Sequence, residues 1–109
     1  MINKVILTGR LVEDPELQQT GNGVDYARFT LAVDRNYRNQ DGEQDTDFVN
    51  IITWRKQAQN CVKYLGKGRL VGVDGCLRIN RASSNGQTRT FSQVEANRIE
   101  FLDWPRDQD

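Results

Sequence analysis

The sequence predicts an all-β domain interrupted by one short helix, and three observations carry that prediction. Apolar residues alternate with polar ones over most of the chain, the period of a strand with one buried face. Only residues 55–65 break the alternation: there Ala58, Cys61, Val62 and Leu65 recur at the spacing of one helical face. The runs are separated by turn and loop residues at Asn22-Gly23, Asp41-Gly42 and Asn85-Gly86.

The first strand covers residues 2–12, with Val5, Leu7 and Leu11 on one face and Lys4, Ile6, Thr8 and Arg10 on the other. Residues 13–23 hold a proline and the Asn-Gly pair and read as a loop. The second strand, 26–37, turns Ala27, Phe29, Leu31 and Val33 to the core and Tyr26, Arg28, Thr30, Ala32 and Asp34 away from it. A polar stretch, 38–47, reads as a long exposed hairpin around Asp41-Gly42. The third strand, 48–54, runs into the helix. Gly66 suits a left-handed cap at the helix end, and Lys63 and Lys67 suit the negative end of its dipole. A helix of about eleven residues does not stand alone in water, so it must plug something.

The fourth strand, 69–81, places Val71, Val73, Leu77 and Ile79 on one face, while Gly72 and Gly75 point to bends or close backbone approach. After a hairpin turn at Ser84-Asn85-Gly86 comes the fifth strand, 88–102. Its apolar residues change phase between Ala96 and Ile99, which a bulge would reconcile. Five curved strands with the helix between the third and fourth is the order of an OB-fold, a five-stranded Greek-key barrel whose helix caps its bottom.

One hundred and nine residues suffice for one compact core. Fifteen basic and fifteen acidic residues cancel, but eleven of the cations are arginine, the side chain suited to phosphate and to stacking on flat rings. The acids gather in the loop after the first strand, in the 41–47 hairpin and in the last ten residues, a segregation that leaves room for a basic groove. Histidine is absent, and Cys61 and Cys76 lack zinc spacing, so no metal, cofactor or nucleophile–base pair suggests itself. The expectation is a non-enzymatic, cytoplasmic protein with no signal peptide and no membrane span.

The third strand does not fit a simple core. If Val49, Ile51 and Thr53 point inward, then Phe48, Asn50, Ile52 and Trp54 point out, and large exposed aromatics mark contacts. Tyr37, at the end of the preceding strand, is expected to join them. Arg28 and Arg78 fall on outward phases, and Arg38, Lys56, Lys67 and Arg81 lie at strand ends or loops nearby. Rings threaded by cations suit a single strand of bases and phosphates. Taken singly, Trp54 also fits the barrel mouth, Phe48 with Ile52 fits a subunit contact, and each arginine fits a solvated charge.

The segments NKVILTGRLVEDPEL, FTLAVDRNY, DFVNIITWRKQAQNCVKYLGKG and LVGVDGCLR, in this order and spacing, resemble bacterial-type single-stranded DNA-binding proteins over nearly the whole chain. The resemblance implies a homotetramer of OB-folds wrapped by single-stranded DNA in replication, recombination or repair. It places base stacking on Tyr37, Phe48 and Trp54 and phosphate contacts on Lys4, Arg38, Lys56, Lys67, Arg78 and Arg81. It also implies first strands paired between subunits, involving Asn3, Val5, Ile6 and Leu7.

Two departures stand out. Ala82 occupies a position where the family usually has an aromatic, with Phe91 across the hairpin as its nearest substitute. The family's long linker and acidic tail, which recruits other replication and repair proteins, have no counterpart after Trp104-Pro105. A naturally short form and a trimmed one both account for that. The domain is taken as residues 1–104, with 105–109 as a short stub. The rival expectation is an OB-fold protein-interaction module of a replication or primosome assembly, with weak DNA binding.

Overall fold

The computed structural model describes residues 1–103. In chain order it contains β1 (Val5–Leu11), β2 (Glu16–Gln19), β3 (Asp25–Arg38), β4 (Gln44–Trp54), α1 (Arg55–Tyr64), β5 (Leu70–Ser84) and β6 (Gln87–Phe101). The third, fourth and fifth strands of the sequence reading are therefore β4, β5 and β6. Trp104 and the expected stub lie outside the described residues.

The sheet runs β1-β5-β6-β4-β3-β2, and β1 returns to pair with β3 at Arg10–Ala32 and Leu11–Leu31. That pairing closes five strands into the expected OB-type barrel. The β4–β6 seam is parallel, through Ile51–Val94 and Ile52–Glu95, while the other pairs are antiparallel.

The sixth strand, β2, is a correction. It lies in the segment expected to be loop and pairs with the start of β3, from Glu16–Arg28 to Gln19–Asp25. Asn22-Gly23 belongs to the turn of this hairpin, where Gly23 has φ +81° and donates to the Thr20 carbonyl at 2.9 Å. All four β2 residues are exposed, so neither face imposes an alternation that the sequence could show.

The core is Leu11, Phe29, Leu31, Ile51, Cys61, Leu65, Val71, Val73, Val94 and Ala96. Each fully buried aliphatic side chain of this kind contributes about 1.5–3 kcal/mol, with the unfolded chain as reference. Helix α1 plugs the barrel through Ala58 and Cys61, both 0% exposed. Burial pushes the Cys61 thiol up to about 12, so it stays protonated and serves as a packing group.

The end of the helix differs from expectation. Leu65 is extended (φ −105°, ψ 150°), and the left-handed glycine is Gly68 at φ +89°, not Gly66. Arg69 donates to the Gly66 carbonyl at 3.1 Å, a turn whose third residue must take positive φ, and Gly68 supplies it. At Gly66 a side chain would press on Asp14 Oδ1, which accepts the Lys67 amide at 2.8 Å.

The phase change in the last strand is a bulge. Partners step from Asp74–Arg98 to Gly75–Ala96, leaving Asn97 unpaired. The Gln57 side chain of α1 reaches this point. Its amide donates to the Ala96 carbonyl at 3.1 Å and to Thr53 Oγ1 at 2.8 Å, and its carbonyl accepts the Ile99 amide at 3.0 Å. The backbone groups that the bulge takes from the ladder are thereby satisfied. Gly75 makes the expected close approach, since a Cβ there would collide with the Glu95 carbonyl; Gly72 has ordinary room.

Candidate nucleic-acid interface

Above the barrel two hairpins project, and their sequences explain why they hold without a core. The β5–β6 hairpin turns at Asn85 (φ 52°) and Gly86 (φ 78°), the doubly left-handed pair whose twist matches the strands. In the β3–β4 hairpin Asn39 Oδ1 accepts the Asp41 and Glu43 amides, each at 3.0 Å, and Gly42 takes φ +78°. The strand also begins earlier than expected, since Gln44–Asp47 belong to β4 rather than to a loop.

Cross-strand register sets the outer face of β3 and β4. Tyr26 faces Trp54, Arg28 faces Ile52, Thr30 faces Asn50 and Ala32 faces Phe48. Phe48 is 67% exposed, and Trp54 is half-buried against Tyr26, with ring centroids 5.4 Å apart and planes tilted by 42°. Two of the three expected stacking rings thus share one face. Ile52, on the same phase, is only 3% exposed, because long side chains flank it in register, Arg28 on β3 and Glu95 on β6. A subunit contact through Phe48 and Ile52 loses one of its members.

Tyr37 sits elsewhere. It is 64% exposed but lines a separate hollow with Ile6, Leu7, Thr8, Arg35 and Asp47, between the hairpin and β1. The reason is phase: Tyr37 neighbours Arg38, which pairs with Gln44 on the Phe48 face, so Tyr37 points the other way. Arg35 holds Asp47 at 3.0 Å and draws its carboxyl below the ordinary value. A further hollow, between β3, β4 and β6, is lined by Glu13, Arg28, Thr30, Asn50, Phe91 and Gln93. It brings the exposed Phe91 ring toward the Arg28 side of the face.

The expected cations divide into two groups. Lys4 is bound to Asp74 at 2.8 Å and Arg78 to Glu95 at 3.4 Å. Arg38, Lys56, Lys67 and Arg81 are exposed and form no ion pair among the described residues. Arg38 is held by the Gly42 carbonyl at 3.0 Å. Arg81 shares the phase of Ile79, opposite that of Arg78, so the two arginines serve different faces of the β5–β6 arm. Arg28 lies over the Tyr26 ring, 5.5 Å from its centroid. Tyr26 is the residue that sequence reasoning passed over. Its outward phase was legible, but its apposition to Trp54 needed the register.

The expected subunit-contact residues are also split. Val5 and Leu7 pack partly against the core, whereas Ile6 is 71% exposed. Asn3 is engaged within the chain, its side chain donating to the Leu77 carbonyl at 2.9 Å and accepting the Leu77 amide at 2.8 Å. β1 pairs with β5 from Val5 to Arg10 but meets β3 only at Arg10 and Leu11, which leaves one edge of residues 5–9 open among the described residues. No helix among the described residues is long and apolar enough to cross a membrane.

Residues 2–102 match the single-strand binding protein family. The chain is 49% identical over 104 residues to a single-stranded DNA-binding protein of Halalkalibacterium halodurans, covering 94% of this chain and 62% of that one. It is 48% identical to single-stranded DNA-binding protein A of Bacillus subtilis, covering 94% of this chain and 60% of that protein. With single-stranded DNA-binding protein 1 of Staphylococcus aureus the identity is 49%, over 100% of this chain and 70% of the relative. The chain thus spans about three fifths of the length of the first two relatives. Among solved structures, a Plasmodium falciparum SSB complex with ssDNA superposes with a TM-score of 0.81 at 28% identity, covering 94% of this chain and 96% of that one. With both the barrel and the sequence in agreement over almost its full length, the chain belongs to the single-strand binding protein family.

Proposed function

We propose that this protein binds single-stranded DNA irrespective of sequence and protects it during replication, recombination or repair. The observation that carries this reading is Phe48, a ring 67% exposed on the same face as Trp54, in a strand whose neighbouring segment Ile51–Thr53 is buried. Leaving that much apolar surface in water has a cost unless a partner covers it. A nucleobase offers a flat partner of any sequence, worth about 1–3 kcal/mol per stacked ring. Trp54 is the second platform. Tyr37 serves bases on the far side of the β3–β4 hairpin, and Phe91 stands on the β6 side.

Phosphates follow Arg38, Lys56, Lys67 and Arg81, while Lys4 and Arg78 join by exchanging their carboxylate partners. Binding requires no catalytic group and no cofactor. The open edge of β1 with the exposed Ile6 supports pairing of first strands within a homotetramer, and a DNA ligand would place the protein in the cytoplasm with the nucleoid. Other replication and repair proteins remain partners of the assembly in this reading.

Titration with thymine oligomers at several salt concentrations tests it. Four to six phosphate contacts per chain give a slope of log K against log salt of about −3 to −4, at roughly −0.7 per contact. Tryptophan emission should fall on binding. Affinity indifferent to salt, or emission unchanged at micromolar protein, would sink the proposal. The rival interaction-module reading draws on Ala82 and on the carboxylates that occupy Lys4 and Arg78. It gains if DNA binding is weak and non-cooperative while a replication protein binds tightly. Light scattering tests the tetramer, which a stable monomer would exclude.

A further inference from the structure

We infer that Tyr26 and Arg28 form a buttress that fixes the Trp54 ring for base stacking, so that Arg28 acts through the aromatic stack rather than on phosphate. The inference rests on the stacking role proposed above for Trp54. It begins with two ring contacts. At a centroid separation of 5.4 Å, Tyr26 and Trp54 touch each other and leave no gap for a base between them. The Arg28 guanidinium lies over the Tyr26 ring at 5.5 Å from its centroid, within the range of a cation–π contact. Arg28, Tyr26 and Trp54 are therefore a continuous stack on one face of two paired strands, and Tyr26 sits in its middle.

The backbone shows why Trp54 needs such support. It is the last residue of β4, and Arg55, immediately after it, takes φ +58°, a left-handed conformation unusual for a residue with a side chain. Trp54 has no following strand residue to pack beside it and makes no side-chain cap to α1. Its support in register is Tyr26. The start of β3 is itself anchored, because Asp25 accepts from Gln19 at 2.8 Å and from Gln59 of α1 at 2.7 Å. A tilted ring held from one side presents its opposite side in a single orientation. Stacking then costs less ordering on binding.

A second observation separates Arg28 from the phosphate path. The hollow beside it is lined by Glu13, Asp14, Glu16 and Gln18, and Glu16 is its direct partner on β2. None of these carboxylates is ion-paired to Arg28 among the described residues, so their charge stays in the hollow. Carboxylates that line the same hollow as the guanidinium repel a phosphate that approaches it from that side. They do not repel the uncharged face of a base on Trp54.

The test uses the whole chain carrying Trp104→Phe, so that emission reports Trp54, titrated with a thymine oligomer at several salt concentrations. Tyr26→Ala should weaken binding about fivefold to tenfold and raise acrylamide quenching of Trp54 in the free protein, while Tyr26→Phe restores both to within about twofold. Arg28→Gln should weaken binding without changing the salt slope, whereas loss of a phosphate contact would make the slope shallower by about 0.7. A slope change of that size for Arg28→Gln, or Tyr26→Ala binding like the parent, overturns the buttress while leaving Trp54 stacking intact. If the parent protein itself shows no quenching by DNA, the stacking role falls and the buttress with it. Melting curves of Tyr26→Ala and Arg28→Gln that match the parent confirm that the losses are not unfolding.

Discussion

The barrel and its two arms are made from the same strands, yet one half of each strand is sealed and the other half is wet. In β5, Val71, Val73 and Gly75 are buried, while Leu77 and Ile79, on the same phase, are 42% and 58% exposed. In β4, Ile51 and Thr53 are buried, while on the same phase Val49 is half-buried and Asp47 exposed. Nothing in the alternation changes across these boundaries. What changes is whether another strand or the helix lies across the inward face. On the proposed reading, fold stability and ligand contact fall to different halves of the same strands, so each should be alterable with little effect on the other.

That division can be broken or sharpened by substitution. Leu31→Ala empties a site that is 0% exposed and should cost about 2–5 kcal/mol in urea unfolding. A loss below about 1 kcal/mol would mean that the barrel interior is looser than its burial indicates. Gln57→Ala strips the Ala96 carbonyl and the Ile99 amide of their partner and should cost about 1–3 kcal/mol. If stability is unchanged, water has replaced the amide and the helix is not pinning the bulge. Phe48→Ala should weaken binding of a thymine oligomer by about 1–3 kcal/mol. It should shift stability by less than about 0.5 kcal/mol. Equal effects on both would erase the distinction between arm and barrel.

The smallest expected effect concerns acid. Arg69 donates to Asp103 Oδ1 at 2.9 Å and to its main-chain carbonyl at 2.9 Å, tying down the chain just after β6. This hydrogen bond holds the Asp103 carboxyl below its ordinary 3.8. A lowered folded value means the group stabilises the fold above about that pH and loses its contribution as pH falls through the folded value. Asp103→Asn should therefore unfold more readily than the parent at neutral pH, and the difference should close on acidification below the ordinary carboxylate range. A gap that persists unchanged into strong acid would assign the effect to packing.

How much of this was legible without coordinates follows from how local each feature is. Strand phase was readable for β1, β3, β4, β5 and β6, because successive side chains point to opposite faces whatever lies beyond them. The bulge announced itself through the misfit of Val94 and Ala96 with Ile99. β2 did not, because four exposed residues carry no pattern. The rings Phe48 and Trp54 were legible as outward. Tyr37 was expected beside them from its closeness in sequence, although it shares the phase of Phe29, Leu31 and Val33; the shift between Asp34 and Arg38 keeps that phase and leaves it on the side opposite Phe48.

The sequence by itself determined which side chains face inward, where the helix falls and where the chain turns, since each depends on residues within one or two turns of chain. Only the tertiary structure decided how far the barrel extends along each strand, which ring supports which, and which carboxylate occupies which cation. Those depend on contacts such as Tyr26–Trp54, Lys4–Asp74 and Gln57–Ala96, between residues distant in sequence. Barrel closure sets their register, and no local preference encodes it.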